Sequence, residues 1–346
     1  MTDKKQISVK FVGFQDWNYI NGVKLCDTWL YKTLNKHYDI VISDNPDYVI
    51  CSCFNLYEYC KYKDSVRVMY SGENYVPDFN LIDYAISSYP LDFFDRNFYL
   101  PQSLWGYDEE RKKIENGRGN FTTDFIKSKT RFANFIASYD SENHCRGDFF
   151  KKLTAIKKVD SAGKWLNNTG INVRFQDNSK TDFQRTCKFS LCFESTCNAG
   201  FNTEKIMDAF YADTVPIYFG DPYISSIFNP KAFINVADFE NYDEAIEYIL
   251  EIDSDDEKYL CMLNQPIFNQ ENYISNTYRG AEDFLLHIFE QPLDKAYRRS
   301  RIFWPMGHDA FLTIAMSLWE IVYQNKVIKG FRQLKRKIKK IIRKGC

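Results

Sequence analysis

The sequence has few of the residues that build metal centres or disulfide frameworks. Its 346 residues include only four histidines, and none of its ten cysteines pairs with another at the Cys-x-x-Cys spacing. Structural zinc sites need closely spaced thiolate and imidazole ligands, so this composition argues against a zinc cluster. The cysteine pattern favours reduced core thiols in a cytosolic protein.

Long apolar runs are also missing. The first residues, Met1–Gln6, are polar and lead straight into a strand-like segment, and no apolar run approaches the length that crosses a bilayer. We therefore expect neither a signal peptide nor a transmembrane anchor. Hydrophobic residues nevertheless make up 45% of the chain and aromatic residues 17%, which excludes a disordered protein.

Acidic residues are absent from the last segment of the chain. Residues 324–346 hold ten of the 45 lysines and arginines, which leaves 35 basic against 46 acidic residues, a net charge of −11, for the rest. Apolar residues recur in this segment at three- and four-residue intervals: Val327, Phe331, Leu334, Ile338 and Ile341. The pattern predicts a basic amphipathic helix that binds an anionic membrane surface. A helix packed on the protein stays an alternative, whereas the acidic body argues against a nucleic-acid partner.

Strand-like and helix-like segments alternate along the rest of the chain. The first series has strand-like segments at Ile7–Phe14, Tyr38–Ser43, Asp47–Phe54, Val66–Tyr70 and Tyr84–Ser87, and a helix-like segment at Cys26–Asn35. After a charged stretch at residues 107–130, the second series has strand-like segments at Arg131–Ser138, Lys188–Glu194 and Val215–Gly220 and helix-like ones at Arg146–Lys158, Thr203–Asp213, Asp243–Glu251 and Asp255–Asn264. This order predicts an α/β fold with doubly wound parallel sheets, and the length favours two domains.

The window Lys188–Asp221 carries the most chemistry. It predicts a strand, a polar loop, a helix that begins near Thr203 with Asn202 or Thr203 as its N-cap, and a second strand. A helix N-terminus favours a phosphate group, and Lys205 in the first turn adds a cation, so the diphosphate of a nucleotide sugar fits this site. A purely structural role for this one unit stays open at this point.

Several blocks resemble one family in the same order. The pattern FExxxxxxxxTEKxxDA followed by TVPIYFGDP, together with SGENYVPDFNLIDYAIS and KKVDSAGKWLNN, is similar to the α1,3/1,4-fucosyltransferases of glycosyltransferase family 10, especially those of gastric bacteria. The likeness extends from about Ile7 to Glu290. It implies the GT-B arrangement, two Rossmann-like domains that face each other across a cleft. We expect an acceptor domain at residues 1–125, a nucleotide-sugar domain at 126–310, and a basic membrane-surface tail at 311–346.

The resemblance also implies an activity. Family members transfer L-fucose from GDP-β-L-fucose with inversion, here to O3 of N-acetylglucosamine in a galactosyl-N-acetylglucosamine acceptor, in surface glycan synthesis. Glu73 matches the proposed general base, Arg146 and Lys205 match the cations that neutralise the diphosphate, and Glu204 matches the acid that contacts the donor's ribose or sugar hydroxyls. Paired cations do what a metal ion does in other glycosyltransferases, so we expect no required cofactor and leave stimulation by Mn²⁺ or Mg²⁺ open.

Two positions depart from the family pattern. Ser195 stands where Asn is common, and Phe201 stands where the family commonly has Tyr, so the donor site loses a hydroxyl group. Asn198 is the candidate that compensates for this loss. A separate pair of acids, Asp253 and Asp255, has the spacing of a metal-binding motif, but its place before a helix-like segment predicts a helix cap instead.

Other functions stay open on the sequence alone. The chain could transfer a different sugar from a nucleotide donor, or it could bind glycans without catalysing transfer. The basic tail and the lipid-linked acceptors common in surface-glycan synthesis lead us to expect a cytoplasmic protein, peripheral on the inner face of the cell membrane.

Overall fold

The computed structural model describes residues 4–14, 19–20, 23–54, 58–106, 112–141, 143–173 and 178–324. The predicted basic helix at residues 324–346 therefore lies almost wholly outside the described residues. Within them, two parallel sheets with flanking helices make up an α/β structure, as the alternating pattern predicts.

The first sheet has the strand order β4-β1-β5-β6-β7-β8. Its strands are β1 (Lys5–Val12), β4 (Tyr38–Ile42), β5 (Tyr48–Cys51), β6 (Val66–Ser71), β7 (Tyr84–Ser87) and β8 (Asn97–Tyr99), all parallel. Strands β5, β6 and β7 are buried along their whole length, as expected for parallel strands covered on both faces. Helix α1 (Trp29–His37) connects β1 to β4, and Thr28 caps it by accepting from the Tyr31 amide at 3.3 Å. A short antiparallel pair, β2 (Tyr19–Ile20) and β3 (Val23–Lys24), precedes α1.

The second sheet has the order β10-β9-β11-β12-β13. Its parallel strands are β9 (Arg131–Phe135), β10 (Val159–Ser161), β11 (Cys187–Phe193), β12 (Val215–Phe219) and β13 (Ile234–Asn235). The helices of this part are α2 (Thr123–Lys127), α3 (Cys145–Ile156), α4 (Ser179–Arg185), α5 (Glu204–Tyr211), α6 (Tyr242–Ser254) and α7 (Asp256–Leu263). The chain leaves β9 towards β10 on one side and returns to β11 on the other, so the strand order reverses between β9 and β11. Ligands of open α/β sheets bind at such a reversal, outside the carboxyl ends of the strands.

The chain then returns to the first sheet. Helix α8 (Tyr273–Glu290) packs the Phe289 ring 4.5 Å from the Tyr48 ring and 5.6 Å from the Tyr38 ring. A short helix α9 (Leu293–Ala296) and a long helix α10 (Phe303–Gln324) follow. The predicted boundaries after residues 125 and 310 stay predictions: helix α8 lies within the predicted second domain but packs on the first sheet.

The described cysteines form no disulfide. Cys51, Cys60, Cys187 and Cys192 are buried free thiols, as expected, whereas Cys26, Cys197 and Cys261 are exposed. Core placement is therefore wrong for these three. In each case the cysteine lies in a loop or on the solvent side of a helix or turn, where an apolar neighbour in sequence does not imply burial.

A buried arginine joins α10 to the first sheet. Arg67 on β6 is fully buried and donates two hydrogen bonds, at 3.1 and 3.2 Å, to the Asp309 carboxylate on α10. Further hydrogen bonds reach the carbonyls of Tyr62, Leu81 and Cys60 at 3.2, 2.9 and 3.3 Å. Burial raises the pKa of Asp309, but the Arg67 guanidinium outweighs it and holds that pKa below its ordinary value.

Removing this charge should destabilise the fold. Arg67→Met leaves the partly buried Asp309 carboxylate without its guanidinium partner and the Tyr62 and Cys60 carbonyls without this donor, which costs up to about 3–5 kcal/mol of unfolding free energy, the range for a broken buried pair. Arg185→Met, at an exposed ion pair with Asp182, is the matched control and should change it by less than about 0.5 kcal/mol. Urea denaturation of both variants measures the difference, and equal stabilities would contradict the role of Arg67.

Candidate active site

The carboxyl edges of the two sheets meet at one cleft. The segment after β11, Ser195–Asn202, which we call the β11–α5 loop, contacts segments that follow β6, β7 and β8. The Tyr99 hydroxyl donates to the Gly200 carbonyl at 2.9 Å, and the Ser103 hydroxyl donates to the Asn202 side-chain oxygen at 2.6 Å. The predicted site residues of both halves therefore lie along a shared edge.

Glu73 lies in the turn after β6 and faces this cleft. Its side chain is half-buried, and neither a hydrogen bond nor an ion pair engages its carboxylate within the part of the chain that the structure describes. Burial raises the pKa of Glu73, the nearby Glu204 carboxylate raises it further, and the Lys205 ammonium lowers it in part. The Cys53 thiol also lies within electrostatic reach. A carboxylate of raised pKa in a cleft is a candidate proton acceptor.

Across the cleft, Lys205 stands in the first turn of α5. Its ammonium donates to the Glu194 carboxylate at 2.9 Å and to the Thr203 hydroxyl at 2.6 Å. Burial lowers the pKa of Lys205, but the carboxylates of Glu194 and Glu204 outweigh this effect and raise it overall. The lysine therefore stays charged at any physiological pH.

Glu194 is a functional candidate that the sequence analysis quoted in a motif but gave no role. It directly follows β11, is 2% exposed, and accepts from the Thr203 amide at 2.7 Å and from the Thr203 hydroxyl at 2.9 Å. A carboxylate thus already occupies part of the α5 N-terminus, where the sequence predicted free amides for a phosphate. The arrangement leaves the neutralisation of a phosphate mainly to cationic side chains. An acid between a mostly apolar strand and the polar loop was the available signal.

Arg146 is buried, not a surface residue. It lies at the start of α3, is 3% exposed, and donates to the carbonyls of Tyr139 at 3.0 Å and Phe193 at 2.9 Å. Its Nε is buried without a hydrogen-bond partner among the described groups. Burial lowers the pKa of Arg146, opposed by the Glu194 carboxylate, and Arg146 lies close enough to affect Lys205. The two predicted cations thus occupy the reversal point between β9 and β11.

The β11–α5 loop carries the remaining candidates. Ser195 is half-buried at its start, Asn198 is exposed and faces the first half, and Phe201 is 5% exposed. The buried Asp221 carboxylate fixes the end of this loop by accepting from the Gly200 amide at 2.8 Å and the Asn202 side chain at 2.9 Å. The donor-binding roles of Ser195, Asn198, Phe201 and Glu204 stay predictions.

The acid pair outside the cleft has structural partners. Asp255 caps α7 by accepting from the Lys258 amide at 3.0 Å, as predicted. The Asp253 side chain is 8% exposed and pairs with Lys188 at 2.8 Å and with Lys157. Among the described residues, no group of three or more His, Cys, Asp or Glu side chains is placed to hold a metal ion.

Two parallel sheets that share a charged cleft define the GT-B-type fold of glycosyltransferases, and the comparisons agree. A model of the α-(1,3)-fucosyltransferase FucT N-terminal domain matches residues 9–105, and a model of the C-terminal part of glycosyltransferase family 10 (fucosyltransferase) matches residues 126–264. The chain belongs to glycosyltransferase family 10, which confirms the resemblance.

Two of the relatives that the chain resembles are named as fucosyltransferases. The chain is 34% identical over 276 residues to α-(1,3)-fucosyltransferase FucT of Helicobacter pylori, covering 69% of this chain and 56% of that one. It is 26% identical over 145 residues to 4-galactosyl-N-acetylglucosaminide 3-α-L-fucosyltransferase 9 of Mus musculus, covering 40% and 38%. The chain thus spans about half or less of these relatives' length.

The fold is also similar to that of solved fucosyltransferase structures. A crystal structure of an α1,3-fucosyltransferase superposes with a TM-score of 0.71 at 28% identity, covering 87% of this chain and 93% of that one. A crystal structure of α1,3-fucosyltransferase with GDP-fucose gives 0.68 at 28% identity, covering 84% and 92%. The predicted GT-B arrangement is confirmed.

The raised pKa of Glu73 has a consequence for stability. A carboxyl group whose pKa is higher in the folded state destabilises that state as pH rises above the ordinary value of 4.5 and through the folded value. Glu73→Gln should therefore raise the melting temperature at about pH 8. It should not do so at about pH 4, where Glu73 is largely protonated in both the folded and the unfolded protein. Glu271→Gln, at an exposed glutamate, is the control. An equal or lower melting temperature for Glu73→Gln at the higher pH would contradict this destabilisation.

Proposed function

We propose that the protein is an inverting α1,3-fucosyltransferase that moves L-fucose from GDP-β-L-fucose to O3 of N-acetylglucosamine in a galactosyl-N-acetylglucosamine acceptor. The observation that carries the proposal is the half-buried Glu73 carboxylate, which faces the Lys205 ammonium across the cleft, with the Arg146 guanidinium near Lys205. The names of the family 10 relatives and the neighbour with GDP-fucose support the donor and the linkage.

The proposed reaction uses the carboxylate on one side of the cleft and the cations on the other. The acceptor O3 attacks C1 of fucose on the face opposite the diphosphate, while the bond from C1 to the phosphate oxygen breaks. Glu73 takes the O3 proton, and GDP leaves with the electron pair of the broken bond. Because burial and Glu204 raise the pKa of Glu73, its carboxylate is a stronger base than an exposed glutamate.

The leaving diphosphate needs positive charge as the bond breaks. Arg146 and Lys205 supply it, and both are fixed before the donor binds, Arg146 by two carbonyls and Lys205 by Glu194. Preorganised charge stabilises a transition state without reorganisation, so this mechanism requires no metal ion, and stimulation by Mn²⁺ or Mg²⁺ stays open. We assign Ser195, Asn198 and Phe201 of the β11–α5 loop, and Glu204 in the first turn of α5, as further contacts to the donor.

Substitution of the base tests the proposal. Glu73→Gln should lower kcat by about 10²–10⁴-fold, the usual contribution of a general base, and leave GDP binding within about threefold. Turnover is followed by mass spectrometry of a galactosyl-N-acetylglucosamine acceptor, and GDP binding by calorimetry. Glu271→Gln again serves as the matched control.

A donor screen separates this function from its rivals. GDP-fucose, other GDP-sugars and UDP-sugars are offered to the unaltered protein with the same acceptor. Transfer from another sugar nucleotide, with none from GDP-fucose, would overturn the donor assignment. Binding of the acceptor without transfer from any donor would instead indicate a glycan-binding protein.

The same chain is proposed to work at a membrane surface. Helix α10 exposes large apolar side chains, among them Trp304 at 79% and Phe311 at 67%, together with Ile314, Leu318 and Trp319. It leads directly into the basic residues 325–346, and aromatic and basic residues together favour an anionic lipid interface. No described helix combines the length and apolarity needed to span a bilayer. We propose a peripheral location on the cytoplasmic face of the cell membrane, where a lipid-linked acceptor is available.

Vesicle flotation tests the membrane contact. The protein should float with vesicles that contain about 30% anionic lipid and not with neutral vesicles, because each lysine near an anionic surface contributes about 1 kcal/mol. Exchanging Lys335, Lys337, Lys339 and Lys340 for Gln should abolish flotation. The control exchanges four exposed lysines elsewhere, namely Lys127, Lys151, Lys152 and Lys158, and equal losses in both variants would contradict a specific role of the tail.

A further inference from the structure

Asn74, the residue after Glu73, bridges the cleft. Its side-chain amide donates to the Thr196 hydroxyl in the β11–α5 loop at 2.9 Å. Its side-chain oxygen accepts from the Asn198 amide at 3.0 Å and from the Tyr89 hydroxyl. The turn that carries Glu73 is thus bonded directly to the loop that leads from Glu194 to Lys205.

The hydrogen-bond pattern uses both ends of the Asn74 amide. The nitrogen donates to Thr196 in the second half of the chain. The oxygen accepts from Asn198 in the second half and from Tyr89 in the first half. Alanine removes all of these bonds, whereas aspartate, of the same shape, keeps an acceptor for Asn198, Tyr89 and a rotated Thr196 hydroxyl. Position 74 therefore requires a side chain that can form these hydrogen bonds, and a side chain that only fills the same space does not replace it.

The two segments that Asn74 joins, the β11–α5 loop and the turn that carries Glu73, are each fixed by further contacts. The β11–α5 loop is fixed at its end by Asp221 and by Tyr99, and a Cβ at Gly200 would lie 2.2 Å from the Pro90 ring of the first half. On the other side, the Glu73 carbonyl accepts from the Tyr75 amide at 2.7 Å, which closes the turn tightly around Asn74. A displacement of the loop is therefore transmitted to the turn through the Asn74 side chain.

We propose that Asn74 is a positioning residue, which sets the Glu73 carboxylate at the correct distance from the sugar held by the β11–α5 loop. The inference rests on the proposed transfer reaction and names the contact that couples its base to its donor site. General-base catalysis requires hydrogen-bond reach to the attacking hydroxyl, so a small displacement of Glu73 lowers kcat without weakening the grip on the diphosphate.

The first test compares the kinetics of full-length variants with those of the unaltered protein. Asn74→Ala should lower kcat about 10-fold or more, as expected for a displaced catalytic group, with the KM for GDP-fucose within about threefold. Asn80→Ala lies in the same connection between β6 and β7, and its side chain is hydrogen-bonded to Asp78 and to no other described residue, so it is the matched control and should retain full kcat. Melting temperatures of both variants identify any loss that comes from unfolding.

Coupling across the cleft gives a second readout. Thr196→Val removes the hydroxyl and keeps the shape, and its effect on kcat should disappear in the Asn74→Ala background. Additive effects of the two substitutions, or an Asn74→Ala kcat equal to that of the control, would overturn the inference. Inactivity of the unaltered protein with GDP-fucose would instead overturn the proposed function.

The pH profile gives a third readout. Asn74→Asp keeps the bonded shape and adds a negative charge beside Glu73, in addition to Glu204 and against Lys205, with the Cys53 thiol also nearby. The added charge should raise the pKa of Glu73 and move the acidic limb of the kcat/KM profile to higher pH, with kcat above that limb exceeding that of Asn74→Ala. A limb that does not move, with kcat as low as that of Asn74→Ala, would overturn the inference.

Discussion

The buried Glu194 carboxylate is the group on which the rest of the site depends. A carboxylate that is 2% exposed is stable only with charged and hydrogen-bonding partners, and Thr203 and Lys205 supply them. The same interaction fixes the first turn of α5 and the direction of the Lys205 ammonium. It also explains Gly220, where a Cβ would lie 2.5 Å from the Glu194 Cγ. The blocks FExxxxxxxxTEK and TVPIYFGD therefore meet in space as one structural unit.

The helices and strands that position this unit could be predicted from the sequence, whereas most contacts within the unit could not. Segments with a clear apolar pattern, such as those that became β6, β7, β11 and α5, were placed to within one or two residues. The strands β8, β10 and β13 were not predicted, because two or three residues show no periodicity. The return of α8 to the first sheet was equally hidden, since an apolar helix face does not specify which sheet it covers.

The site residues divide in the same way. Resemblance placed Glu73, Arg146 and Lys205 at one cleft, but the sequence could not show that Arg146 is buried or that Asn74 reaches Thr196. These properties depend on partners 47 and 122 residues apart, at Phe193 and Thr196 respectively. No local pattern encodes such a separation. Glu194 was visible as a letter in a motif, yet its role appears only once Thr203 and Lys205 fold back onto it.

The relative placement of the two halves is itself a part of the chemistry. The proposed base, Glu73, belongs to the first sheet, and the proposed cations for the leaving group, Arg146 and Lys205, belong to the second, so neither half contains a complete site. Side chains from both halves share one hydrophobic core, in which Leu100 and Leu104 join Ile206 and Phe210. Polar bridges at Ser103 with Asn202 and at Tyr99 with Gly200 then fix the register of the two edges. Because a general base acts only within hydrogen-bond reach of the attacking hydroxyl, the proposed transfer depends on these contacts as well as on the charged groups.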